Sequence, residues 1–82
     1  GRSAFKSWPN VMQAAYDDVC RRVNAGDESY EPYATTNPAE FFAVTCEYFF
    51  TLPHFLAERY PEVYHLLTEL YRLDPRQWQQ PA

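Results

Sequence analysis

The sequence predicts an all-α fold of about four helices. Apolar side chains recur at helical spacing along most of its 82 residues, no run reads as a strand, and Pro9, Pro38, Pro53 and Pro61 stand where helices open. A chain of this length makes one small domain with a thin core, or a piece of a larger one.

The first predicted helix runs from about Ser7 to Ala25, with Val11, Met12, Ala15, Tyr16, Val19, Cys20 and Val23 on its apolar side. Ser7 can cap it, Pro9 is tolerated in its first turn, and Gly26 suits its end. Arg21 and Arg22 complement the helix dipole in the last turn, while Asp17 and Asp18 fall on the polar side. Residues 27–37 read as a polar loop carrying Tyr30 and Tyr33. The second helix has a clean start: Asn37 as N-cap, Pro38 in the first position and Glu40 in the third. It runs to about Thr51. Pro53 opens a short third helix with Phe55, Leu56 and Tyr60 apolar. Pro61 opens a fourth, where Val63, Tyr64, Leu66, Leu67, Leu70, Tyr71 and Leu73 form a broad stripe that Asp74-Pro75 stops. The expected organisation is one helical segment over residues 1–75 and a frayed tail over 76–82.

Composition narrows the function. The chain is 46% hydrophobic and 18% aromatic, so its rings must pack in a core or against a partner. A net charge of −4 with no basic run argues against nucleic acid and against an anionic membrane surface. No apolar stretch approaches a transmembrane helix and no signal-peptide pattern opens the chain. Two glycines leave little for phosphate-cradling loops. Cys20 and Cys46 lack CxxC spacing and fit the reduced thiols of a cytoplasmic protein.

The stretch "TTNPAEFFAVTCEYFF", residues 35–50, sets two carboxylates in an aromatic helix. At 100° per residue, Glu47 falls within about 20° of Glu40, with Val44 and Thr51 near the same line and Ala43 beside it. Phe41, Phe42, Thr45, Cys46, Tyr48 and Phe49 form the opposite face. Periodicity alone allows two readings. In one, the acids form a solvated face and Glu40 closes a capping box with Asn37. In the other, Glu40 is an ionised metal ligand at the positive end of a helix, Glu47 orients a neighbouring imidazole, and small Ala43 and Val44 let another element approach. His54 and His65 have no ligand spacing with Glu40 and read as surface or boundary histidines.

"PYATTNPAEFFAVTCEYFF" (32–50) followed by "RYPEVYHLLTELYRLDP" (59–75) resembles the C-terminal part of the Mlc titration factor A family, bacterial zinc metallopeptidases of the gluzincin type. The preceding "AAYDDVCRRVNAG" (14–26) is similar to the helix before that motif, and the likeness runs from about Trp8 to Pro75. It implies a larger fold in which an HExxH helix supplies two histidine ligands and a general-base Glu for peptide hydrolysis by zinc-bound water. It also implies that Glu40 is the third zinc ligand, that Tyr33 lies near the metal as an oxyanion donor, and that Glu47 stands behind the ligands.

The chain contains no HExxH, which the family places upstream. Glu31 replaces an Asp and Cys46 a Ser common among relatives. The expectation is therefore a segment that holds no zinc tightly and cleaves nothing alone. Its expected partners are the upstream HExxH-bearing segment, a peptide substrate and, as the family name hints, a transcriptional repressor. The alternative is a non-catalytic helical interaction module of the same descent. Cys46 and Cys20 read as small buried hydrophobes rather than nucleophiles. The acids at 17–18, 28 and 31 lack a calcium-loop pattern. Tyr30 and Tyr33 either line a peptide groove or pack over the core.

Overall fold

A computed structural model describes residues 7–78. Four α-helices follow in order: α1 (Trp8–Asn24), α2 (Pro38–Thr51), α3 (Pro53–Arg59) and α4 (Pro61–Tyr71). One 3-10 turn, Pro32–Thr35, precedes α2, and another, Pro75–Gln77, follows α4. No strand occurs among the described residues. Cα extents of 32 × 31 × 17 Å leave room for about two layers at the usual 8–10 Å helix spacing.

Local chemistry explains each boundary. Gly26, at φ 95°, turns the chain out of α1. Its N–H donates to the Val23 carbonyl at 3.0 Å, and the Asp27 N–H to Arg22 at 2.9 Å, the paired bonds of a Schellman ending. At the other end Ser7 occupies the cap position, but its hydroxyl does not cap the helix. Its carbonyl accepts the Val11 N–H at 2.9 Å instead. Asn37 caps α2 as expected, its side-chain oxygen accepting the Glu40 N–H at 2.9 Å. Leu52 (φ −135°, ψ 55°) and Tyr60 (φ −134°, ψ 70°) each precede a proline and each leave helical geometry. The proline ring crowds the preceding residue out of the α region, which turns one apolar run into α2, α3 and α4.

The fourth helix ends earlier than its stripe suggests. Arg72 adopts the left-handed conformation (φ 59°, ψ 38°) and stops α4 at Tyr71, leaving Leu73 outside. Asp74 then caps the second 3-10 turn by accepting the Arg76 N–H at 3.1 Å. The Arg76 guanidinium lies 4.6 Å from the Tyr64 ring centroid and pairs with Asp74 at 3.1 Å. Arg76 is thus held to Asp74 and Tyr64; of the expected tail over 76–82, residues 79–82 lie outside the described residues.

The core gathers Ala15 and Val19 of α1, Phe41, Val44 and Phe49 of α2, Leu56 of α3, and Val63, Tyr64 and Leu67 of α4. Tyr30, which residue order left between a peptide groove and packing over the core, is 2% exposed and belongs to that core. Its ring stacks near Phe41 at 6.0 Å and meets Tyr48 edge-on at 4.8 Å. Its hydroxyl pairs with that of buried Thr45. No buried side-chain nitrogen or oxygen lacks a partner among the described residues, as a close-packed interior requires.

Candidate functional site

Two of the expected site residues, Tyr33 and Glu40, meet where the Pro32–Thr35 turn packs on α2. That turn is fixed from several sides. Ala34 is fully buried beneath it. The Glu31 N–H donates to the Tyr48 hydroxyl at 2.9 Å, the Thr35 hydroxyl to the Pro32 carbonyl at 2.8 Å, and the Tyr16 hydroxyl to the Thr35 carbonyl at 3.3 Å. Tyr33 projects from this frame, 54% exposed. Its hydroxyl donates to Oε2 of Glu40. Thus the Glu40 carboxylate receives Tyr33, while its backbone N–H is held by Asn37. The capping box is half realised: Asn37 caps, and the Glu40 side chain bonds the phenol.

Donation to the carboxylate, together with that carboxylate's negative charge, raises the Tyr33 phenol above its ordinary 10.0. Tyr33 therefore stays protonated at neutral pH and serves as a donor. Glu47 is exposed further along α2. Ala39 and Ala43, also exposed, flank Glu40 with minimal bulk, whereas Val44 turns inward and is 8% exposed. The strip that the helical wheel assigned to acids and small residues is thus partly surface and partly core.

As a metal site this arrangement is one ligand of a set. Among the described residues no group of three or more His, Cys, Asp or Glu side chains could hold a metal ion. Glu40 fits such a set chemically: it is an oxygen donor at a helix start, half-buried, with its carboxylate now engaged by Tyr33. His65 is exposed and pairs with Glu69 on its own helix at 3.6 Å. His54 lies on α3, apart from the Tyr33–Glu40 pair in sequence and element.

Cys46 is half-buried, and burial raises its thiol above the ordinary value, which suits a packed hydrophobe better than a nucleophile. Cys20 is likewise a free, half-buried thiol. Asp18 of α1 and Asp27 of the following loop serve structure. Asp18 accepts from Tyr60 and Arg22, both at 2.7 Å, and from Arg21 at 3.0 Å. Asp27 accepts from the Ser29 N–H at 2.8 Å. An apolar groove of about 430 Å³ lies between α1 and α2, lined by Trp8, Met12, Tyr16, Pro38, Phe41 and Phe42.

The direct Tyr33–Glu40 bond was not legible from residue order. The two are seven apart but belong to different elements, so no single periodicity relates them. Beyond the family resemblance, which implies that Tyr33 lies near the metal held by Glu40, only the PxxxxNP punctuation, Pro32 to Pro38, hints that a tight turn brings them together.

The family model described as glucose-regulated metallo-peptidase M90 matches residues 1–72. Among curated proteins, the chain is 38% identical over 79 residues to Mlc titration factor A of Pectobacterium atrosepticum, covering 88% of this chain and 30% of that protein. It is 39% identical over 72 residues to the protein of the same name in Serratia proteamaculans, covering 84% and 28%. It is 40% identical over 74 residues to that of Edwardsiella ictaluri, covering 87% and 28%. The chain therefore spans less than a third of the length of these relatives. No solved structure matches it.

Proposed function

Because this chain belongs to the glucose-regulated metallo-peptidase M90 family, we propose that Glu40 is the third protein ligand of a catalytic zinc in a peptide-hydrolysing enzyme of the gluzincin type. In this reading the four helices form part of the wall of the active-site cleft. The two histidine ligands and the general base come from an HExxH helix outside these 82 residues, packed against the Glu40 side of α2. The metal would supply Lewis acidity toward the scissile carbonyl and the attacking water. The chain's own residues hold and aim. Asn37 fixes the first turn of α2 through the Glu40 N–H, so the carboxylate leaves the helix at a set position. Tyr33, protonated at neutral pH, is the donor for the oxyanion of the tetrahedral intermediate. Glu47 orients a ligand imidazole from behind. The work is expected in the cytoplasm; no described helix is long and apolar enough to cross a membrane.

The observation that carries this reading is the pairing of the Tyr33 hydroxyl with the Glu40 carboxylate at the surface of a metallo-peptidase family member. The test is Glu40→Ala in the full-length gene product. Zinc retention through dialysis and peptidase activity should both be lost. If both survive, Glu40 is a helix residue and nothing more.

A second reading has separate support. Phe50, Leu70 and Tyr71 are exposed, and the Phe50 and Tyr71 rings meet at 5.0 Å, so an aromatic patch faces outward. The relatives' name denotes a factor that titrates Mlc. A non-catalytic module that binds a transcriptional repressor through such a patch would retain partner binding in the Glu40→Ala protein.

A further inference from the structure

We propose that Tyr33 and a metal ion compete for Glu40, so that loading the site frees the Tyr33 hydroxyl for the substrate oxyanion. The proposal rests on the reading of Glu40 as a ligand and adds a coupling between metal and donor.

A phenol has one proton to donate. Here it goes to Glu40 Oε2. The same proton cannot also stabilise an oxyanion, so the two roles exclude each other in time. A cation on the carboxylate draws off the negative charge that makes Oε2 a strong acceptor. The Tyr33 bond therefore weakens when the metal binds. Linkage makes the effect reciprocal: whatever factor the metal takes from the Tyr33 bond, that bond takes from metal affinity.

The surroundings confine the change to one side chain. The turn is held by buried Ala34, by the Glu31–Tyr48 bond of 2.9 Å and by the Tyr16–Thr35 bond of 3.3 Å. Glu40 is held at its backbone by Asn37 at 2.9 Å. The Tyr33 side chain, 54% exposed, is free to rotate without disturbing the core. The exchange is then a rotamer change at the surface, fast on the scale of catalysis.

The experiment measures zinc(II) affinity of the full-length gene product by competition with a chromophoric chelator, for wild type, Tyr33→Phe and Glu40→Gln. Tyr33→Phe should bind zinc about twofold to tenfold more tightly, the range of one net hydrogen bond. Glu40→Gln should lose it. If Tyr33→Phe binds zinc equally or more weakly while Glu40→Gln still loses it, competition is overturned and Tyr33 is a positioning residue that supports the ligand. If Glu40→Gln keeps zinc, or wild type never binds it, the ligand reading falls and the competition with it. Ring-¹³C-labelled tyrosine gives a second readout, with the Tyr33 signal assigned by its loss in Tyr33→Phe. Zinc should shift that signal in wild type; a signal that zinc leaves unmoved also overturns the proposal. Circular dichroism confirms that each variant is folded.

Discussion

Replacing Tyr30 by Phe removes one oxygen from the centre of the molecule. Tyr30 is 2% exposed and Thr45 is fully buried, so no bulk water reaches the Thr45 hydroxyl once its partner is gone. A buried polar group left unsatisfied costs about 1–3 kcal/mol. A loss of roughly 1.5 kcal/mol follows, with the ring contacts to Phe41 and Tyr48 retained. For a domain of this size each kcal/mol moves Tm by about 4–8 °C, so Tm should fall roughly 6–12 °C. Thr45→Val should cost about as much, because it strands the Tyr30 hydroxyl instead. The double variant removes both polar groups while keeping both shapes, and should return to within about 0.5 kcal/mol of wild type. Urea denaturation of the four proteins closes the cycle, with an expected coupling of roughly 2–3 kcal/mol. Additive losses in the double variant would refute the argument. They would mean that the two hydroxyls find other partners and that the pair does not hold the loop onto α2. The outcome bears on the site, because Tyr30 anchors the segment that presents Tyr33.

Two functional outcomes are expected of the full-length gene product: Glu40→Ala loses zinc retention and peptidase activity, and Tyr33→Phe binds zinc more tightly. Two more concern stability. Hydrogen bonds from Tyr60 and Arg22 hold Asp18 down to about 2, and the Arg76 guanidinium does the same for Asp74, against an ordinary value of 3.8. Their contribution is complete above about pH 4 and fades as pH falls toward 2, at roughly 1 kcal/mol each after solvent screening. Denaturation midpoints from pH 7 to pH 2 should drop over that interval, and Asp18→Asn with Asp74→Asn should flatten the profile; an unchanged slope would show that neither pair matters. Gly26→Ala meets no atom within 4 Å of the new Cβ, so its effect is purely that of φ 95°. It should cost about 1 kcal/mol by thermal melting, and a neutral result would mean that the α1 ending relaxes to another turn.

Residue order by itself determined the helices and most of their boundaries. Proline position and helical periodicity act within a few residues, so local physics suffices for Asn37-Pro38, for the breaks at Leu52 and Tyr60, and for the Gly26 ending. The motif in residues 32–50 was likewise legible, and with it the descent of the chain and the candidacy of Glu40. The tertiary structure decided what local rules do not reach. Residue order left Tyr30 between a peptide groove and the core, because nothing adjacent in sequence buries it; Phe41 and Tyr48 of α2 and Phe55 of α3 do. The last helix stopped at Arg72 rather than at Asp74-Pro75 because a left-handed residue lets Tyr64, Asp74 and Arg76 come together. Periodicity had set Glu40 and Glu47 on one line, but a wheel describes a helix in isolation. A turn from outside that helix brings Tyr33 to Glu40 and leaves Glu47 in solvent, because hydrogen-bond partners are chosen by proximity in space.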